Sequence, residues 1–148
     1  MIIALGFDYG SQRIGVAVGQ TLTTSAQPLT TVLVKNQQPD WVSISALIKE
    51  WQPQVLVVGL PIRADGGDNE ITFAIRIFCK QLQSRYQLPV YTIDETLSSV
   101  AAAERIFASH ILRRRHAKMI KYLEKGSIDA VAAQIILESW FTECHSIT

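Results

Sequence analysis

Four acidic side chains stand where predicted strands end or a predicted helix begins. Asp8 lies on the first strand, Asp94 and Glu95 follow the fifth strand, and Asp129 falls in the first turn of the last helix. Carboxylate oxygens are the protein ligands that Mg²⁺ and Mn²⁺ prefer. Metal-assisted hydrolysis of a phosphodiester needs two or more such groups on one surface. The set therefore predicts a Mg²⁺ or Mn²⁺ site, provided that the fold brings these element ends together.

Each acid also has a purely structural explanation. Asp8 can accept hydrogen bonds from the turn that follows it, and Asp94-Glu95 can be a polar strand end. Asp129 suits the dipole at any helix N-terminus. Asp8 argues most strongly for function, because a carboxylate on a mostly apolar strand is costly to bury unless it is paired or holds a metal. Taken together, the acids favour a functional site.

The opening stretch, residues 2–19, alternates as a strand, a tight turn and a second strand. Very small residues share the face of the acid on the first strand and the face of Arg13 on the second: Ala4 and Gly6, then Gly15, Ala17 and Gly19. Small residues leave room for a ligand or a closely packed helix. We expect the last helix, which carries Asp129, to approach the strands here.

The remaining chain predicts an α/β fold. After the hairpin, the pattern indicates a strand at 29–34, a turn at 36–40, a helix to about residue 51 and a strand at 55–60. It then indicates a helix to about residue 86, a strand at 88–93, a helix from residue 98 or 99, and a last helix from residue 127. The uninterrupted apolar run at 55–60 is typical of a central strand covered on both faces. We expect one domain over residues 1–148, with a five-stranded mixed sheet flanked by helices in three layers.

Composition limits the class of protein. With 148 residues, 48% of them hydrophobic and 18% charged, the chain is globular rather than disordered. The apolar N-terminus lacks basic residues and is interrupted by Asp8, so we expect no signal peptide and no membrane partner. Cys79 and Cys144 have no metal-ligand spacing and suit a reducing compartment. These features predict a cytoplasmic protein.

Positive charge is concentrated between residues 113 and 125, which we call the basic segment. It holds six basic residues against one acid, whereas the rest of the chain has 8 basic and 12 acidic residues (14 less 6, and 13 less 1). Such a segment can be an exposed solvated helix. Its position between an acid pair and an acid-bearing helix favours binding to a nucleic-acid backbone, with affinity from counterion release. The candidate contacts are Arg113, Arg114, Arg115, Lys118, Lys121 and Lys125.

Blocks spread over nearly the whole chain resemble the YqgF/RuvX family. They are Gly6-Phe7-Asp8-Tyr9-Gly10 with Arg13-Ile14-Gly15-Val16-Ala17, Val58-Gly59-Leu60-Pro61 with Asp65-Gly66, Asp94-Glu95 before Ser98-Ser99, and Lys125-Gly126-Ser127-Ile128-Asp129 with Ala132-Ala133. The resemblance implies an RNase H-like fold, similar to that of Holliday junction resolvases, and a cytoplasmic pre-16S rRNA nuclease acting at the 5′ end. It implies that Asp8, Glu95 and Asp129 form the acidic, metal-binding site, with Asp94 a close second to Glu95.

Two positions depart from the family pattern. Many members have an acid where Gln20 stands, and many have Arg where Thr96 stands. Without that Arg, another cation must neutralise the scissile phosphate, and Arg13 or Arg63 could replace it. We include Arg13 among the expected nucleic-acid-binding residues.

The sequence leaves several functions open. The favoured one is a Mg²⁺- or Mn²⁺-dependent nuclease on structured precursor rRNA, as a monomer or weak dimer. A resolvase-like endonuclease on branched DNA would use the same acids but, making two symmetric cuts, would need a stable dimer. A non-catalytic nucleic-acid-binding protein would rely on the basic segment alone. An ATP-binding protein of the actin or hexokinase type is disfavoured, because it needs two related lobes and 148 residues supply one.

Overall fold

The computed structural model describes residues 1–60, 70–94 and 127–147. In these ranges the elements are β1 (Ile3–Tyr9), β2 (Arg13–Gln20), β3 (Ser25–Lys35), β4 (Gln38–Pro39), α1 (Trp41–Trp51), β5 (Val55–Leu60), α2 (Glu70–Tyr86), β6 (Val90–Asp94) and α3 (Ser127–Ile147). The helix expected from residue 98 or 99 and the basic segment lie outside the described residues.

The strands form one mixed sheet in the order β4-β3-β2-β1-β5-β6. The first half of the chain supplies antiparallel pairs, from β1 through β4. The second half adds β5 and β6 parallel to β1. The predicted α/β class, with a mixed sheet, is confirmed.

The sheet has six strands where five were expected, because the predicted turn after β3 contains a very short strand. Asn36 and Gln37 have φ values of 51° and 63°. Two consecutive positive φ angles are typical of the tight turns that connect hairpin strands. The chain therefore reverses at once, and Gln38 and Pro39 pair back onto the end of β3.

β3 also begins earlier than the pattern predicted, at Ser25 rather than Leu29. The pair directly before Leu29, Gln27-Pro28, reads as a break in the chain. Residues 25–28 are held instead by pairing with β2, and the register shifts between Val16 and Ala17, opposite Pro28. Proline is tolerated in strands at such irregularities.

Two hydrophobic layers cover the two faces of the sheet. On one face, β-strand residues such as Leu5, Phe7 and Val58 pack with Ile44 of α1 and with α2. On the other, smaller residues such as Ala4, Ala17 and Val57 pack with α3 through a stripe that includes Ala133, Ile136, Leu137 and Phe141. All six residues of β5 are buried, as expected of a central strand. The three-layer arrangement is thus confirmed.

Local interactions fix the start of α1. The carboxylate of Asp40 accepts hydrogen bonds from the Ser43 main-chain N at 3.3 Å and from the Ser43 Oγ at 2.7 Å. A side chain that satisfies a free N–H of the first turn stabilises a helix end. Asp40 is therefore the N-cap of this helix.

In the part of the chain that the structure describes, no helix has the length and apolar content needed to span a membrane.

Candidate active site

The floor of the candidate site is the β1–β2 hairpin. Its turn is closed by the Gly10 main-chain N–H, which donates to the Arg13 carbonyl at 2.8 Å. In the register that follows, Asp8 lies opposite Gly15 and Gly6 lies opposite Ala17. Side chains directly opposite each other project from the same face of a sheet. Asp8 therefore projects from the face covered by α3, among small residues, as the alternation predicted.

The small residues allow α3 to lie against the strands. A Cβ at Gly15 would overlap the Asp129 main-chain carbonyl and would lie 2.7 Å from the Ala130 nitrogen. Further along the helix, a Cβ at Gly6 would lie 2.5 Å from the Leu137 Cγ. Any larger residue at Gly15 would push the first turn of α3 away. The expected close approach of this helix is confirmed.

This contact brings Asp129 to the same end of the face as Asp8. The main chain of Asp129 rests on Gly15, which is the residue paired with Asp8. Paired Cα atoms in antiparallel strands are about 4.5–5.5 Å apart. Gly15 thus contacts the main chain of Asp129 and is paired with Asp8, so two acids that are far apart in the sequence lie beside the same strand residue.

Asp129 forms an ion pair with Arg13. The Arg13 Nε lies 3.1 Å from the Asp129 Oδ2, and the side chains are 54% and 25% exposed. Burial raises the pKa of the Asp129 carboxyl, and the charge and hydrogen bond of Arg13 offset that rise only in part. Arg13 shares its face with Asp8 because it stands two positions before Gly15 on β2. The sequence predicted Arg13 as a nucleic-acid-binding residue and did not predict its pairing with Asp129. The signal for this pairing was that Arg13 and Asp8 project from the same face of the hairpin.

Asp94 lies on the other face of the sheet. It pairs with Leu60 at the end of the parallel strands, and Leu60 packs on the side of α1 and α2. Its neighbour Ile93 packs with α3 instead. Alternation therefore directs the Asp94 side chain away from the face of Asp8, and of the two adjacent acids Asp94 is the weaker candidate. Glu95, Arg63 and the basic segment lie outside the described residues.

The departure at Gln20 is distant from these acids. Gln20 pairs with Ile3, at the opposite end of β1 from Asp8. Five strand residues span about 17 Å. Thr96 lies outside the described residues.

The donor set suits a hard divalent cation. Asp8 and Asp129 provide carboxylate oxygens, the ligand type that Mg²⁺ and Mn²⁺ select, and Mg²⁺ normally keeps several waters besides one or two carboxylates. Within residues 1–60, 70–94 and 127–147 there is no cluster of three or more potential ligands. Among the described residues, Asp8 and Asp129 fit such a site as two of its ligands. A third protein ligand would be a residue outside the described ranges.

Sequence comparisons place the chain in a family. The family model described as "RuvX: Holliday junction resolvase" matches residues 2–143. The chain belongs to the RuvX family. It is 45% identical over 139 residues to an Aeromonas hydrophila protein named "Putative pre-16S rRNA nuclease", with 94% of each chain covered. It is 44% identical over 141 residues to a Legionella pneumophila protein of the same name, covering 95% of this chain and 96% of that one.

Structural comparisons agree on the fold. Thermus thermophilus RuvC in complex with a Holliday junction substrate is similar with a TM-score of 0.56 at 16% identity, covering 98% of this chain and 96% of that one. The fowlpox virus resolvase with Holliday junction DNA has a TM-score of 0.57 at 13% identity, covering 97% and 99%. At these identities the likeness establishes the RNase H-like architecture alone, and that prediction is confirmed.

The RuvX family assignment confirms the resemblance seen in the sequence blocks. The names of the family and of its members are those of nucleases. The prediction of a nuclease, a hydrolase acting on phosphodiester bonds, is confirmed at this level.

Proposed function

We propose that this RuvX-family chain is a metal-dependent nuclease that processes the 5′ end of precursor 16S rRNA in the cytoplasm, during ribosome biogenesis. The observation that carries the proposal is the placement of Asp129 on Gly15, the residue paired with Asp8. It gives two carboxylates on one face of an RNase H-like sheet. The substrate comes from the names of relatives that match along almost their whole length.

The proposed cation is Mg²⁺ or Mn²⁺. Asp8, Asp129 and Glu95 would hold it, and Asp94, whose side chain projects from the other face of the sheet, is the weaker alternative to Glu95. A bound divalent cation would stabilise negative charge on the phosphate and make a water molecule more acidic. Carboxylates from β1 and α3 suit this role, because regular elements hold ligands more precisely than loops do.

Other residues of the chain would position the acidic ligands and the RNA substrate. Gly15 fixes the height of Asp129 above the sheet, and Arg13 compensates the charge of that carboxylate. Arginine and lysine side chains of the basic segment would hold the RNA backbone, since phosphate contacts orient a substrate without reading its sequence. The proposed contacts are Arg13, Arg113, Arg114, Arg115, Lys118, Lys121 and Lys125.

A resolvase-like endonuclease on branched DNA is the second candidate. The description of the matching family model favours it. Symmetric cleavage of a four-way junction requires two sites related by a two-fold axis, hence a stable dimer. For the rRNA nuclease we propose a monomer or weak dimer. Sedimentation at micromolar concentration, together with cleavage of a precursor rRNA and a synthetic junction, separates the two candidates.

The test of the proposal is Asp8→Asn, which keeps the size of the side chain and removes its charge. Cleavage of a precursor 16S rRNA fragment should fall at least about 100-fold, since metal-based charge stabilisation accounts for several kcal/mol of the barrier. Asp40→Asn is the matched control, because Asp40 is an exposed helix cap and Asn also caps well. Wild-type activity in Asp8→Asn would contradict the proposal.

A further inference from the structure

We infer that Arg13 is an exchangeable counter-cation of the site: it pairs with Asp129 until a divalent cation binds, and it then turns to the phosphate of the substrate. The inference rests on the proposed function, because it takes Asp8 and Asp129 as metal ligands. It assigns Arg13 a defined role in the reaction cycle beyond general attraction for nucleic acid.

The first support is position. Arg13 and Gly15 project from the same face of β2, and Gly15 is the partner of Asp8. Arg13 is thus the diagonal neighbour of Asp8, and such neighbours lie about 7–8 Å apart, within reach of a long side chain. Its Nε lies 3.1 Å from the Asp129 Oδ2. The Arg13 side chain can therefore reach either carboxylate or the space between the two.

The second support is charge. Asp8 and Asp129 bring two carboxylates to one end of the α3 face, and Arg13 supplies a positive charge there. An ion pair with one member about half exposed is weak. A divalent cation bound to Asp129 would compete for the same carboxylate and would repel the guanidinium. Metal binding is therefore expected to release Arg13.

The third support is the chemistry of the guanidinium. Arg13 is 54% exposed and is held to Asp129 through Nε. Its terminal nitrogens carry further N–H donors in a fork that matches a phosphate group. Once released, Arg13 can donate to a phosphate oxygen bound next to the acids.

A purely structural role for Arg13 makes the opposite prediction. If Arg13 only holds Asp129 in place, its removal should weaken metal binding and cleavage together. If Arg13 exchanges with the metal, its removal should tighten metal binding while cleavage slows. Metal affinity measured without RNA therefore distinguishes the two roles.

The experiment is a calorimetric titration of the full chain with Mn²⁺, in the absence of RNA, alongside kcat for precursor rRNA cleavage. Arg13→Gln should bind Mn²⁺ about two- to fivefold more tightly than wild type, the range that follows from loss of a weak competing ion pair. Its kcat should fall at least about tenfold. Arg13→Lys should keep the affinity of wild type, since it keeps the charge, and should lose kcat, since it lacks the fork.

Two further variants keep the outcomes distinct. Arg76→Gln is the matched control, because Arg76 is exposed on α2 across the sheet. It should change neither quantity. Unchanged or weaker Mn²⁺ binding in Arg13→Gln would overturn the inference and leave the metal site standing. Failure of wild type to bind Mn²⁺, or equal binding by Asp8→Asn, would overturn the proposed metal site and the inference with it.

Discussion

Gly15→Ala tests the contact that delivers Asp129 to the site. Gly15 has no positive φ to disfavour a side chain, so the substitution acts through space alone. The added methyl group would overlap the Asp129 carbonyl and would lie 2.7 Å from the Ala130 nitrogen. Both neighbours are main-chain atoms of a helix, which cannot rotate away. The first turn of α3 must therefore retreat.

The size of the effect follows from this displacement. Relieving the overlap moves the start of α3 by on the order of 1 Å, and a misplacement of that size in a catalytic group costs about 100-fold in rate. Overpacking of a tight contact typically costs about 1–3 kcal/mol of stability. We expect a protein that remains folded, with a lowered unfolding midpoint and nuclease activity reduced about 100-fold.

Gly6→Ala is the matched control under the same helix. Its added Cβ would lie 2.5 Å from the Leu137 Cγ, a side-chain atom that can move, and 3.1 Å from the Ala133 carbonyl. We expect a comparable loss of stability with most activity retained, because the strain falls two helical turns beyond Asp129. Urea unfolding and precursor rRNA cleavage measure both effects. Equal activity in the two variants would refute the role assigned to Gly15.

Two further predictions concern groups outside the site. Burial raises the pKa of the Cys79 thiol to about 11. In a Cys144→Ser variant at pH 8, Cys79 of the folded protein should therefore react with a disulfide reagent about 100-fold more slowly than Cys79 of the urea-unfolded chain. Equal reaction rates would contradict this prediction. Hydrogen bonds from the Ser43 side chain and main chain lower the pKa of Asp40 below its ordinary value of 3.8. The Asp40 cap therefore stabilises the folded protein fully above pH 3.8 and loses this contribution as the pH falls through the lowered pKa. The difference in urea midpoint between wild type and Asp40→Ala should shrink below pH 3.8. A difference that persists in acid would argue against the cap.

The hydrophobic pattern predicted much of the architecture. Its alternation identified the β1–β2 hairpin and the face that carries Asp8, and its uninterrupted apolar run at 55–60 identified the doubly covered β5. It missed the start of β3 and the whole of β4, because these segments are held by main-chain pairing rather than by a buried side-chain pattern. Backbone hydrogen bonds depend little on side-chain identity, so a run such as Gln27-Pro28 reads as a break.

The candidate site was predictable in outline. Small residues beside Asp8 indicated a close helix, and Asp129 was the acid on the last helix. The pairing of Arg13 with Asp129 was not predicted, since it depends on how far α3 descends onto Gly15. The opposite orientation of Asp94 follows from the register of β6 against β5, which the sequence does not specify.

The proposed function depends on Asp8 and Asp129 forming one cation site. The most direct measurement is anomalous diffraction from crystals of the protein soaked in Mn²⁺, with crystals of Asp8→Asn soaked in parallel. We expect a manganese peak within coordination distance of both carboxylates in wild type, with Arg13 turned away from Asp129, and no peak there in Asp8→Asn. A wild-type crystal with Arg13 still paired to Asp129 and manganese bound only elsewhere would contradict it.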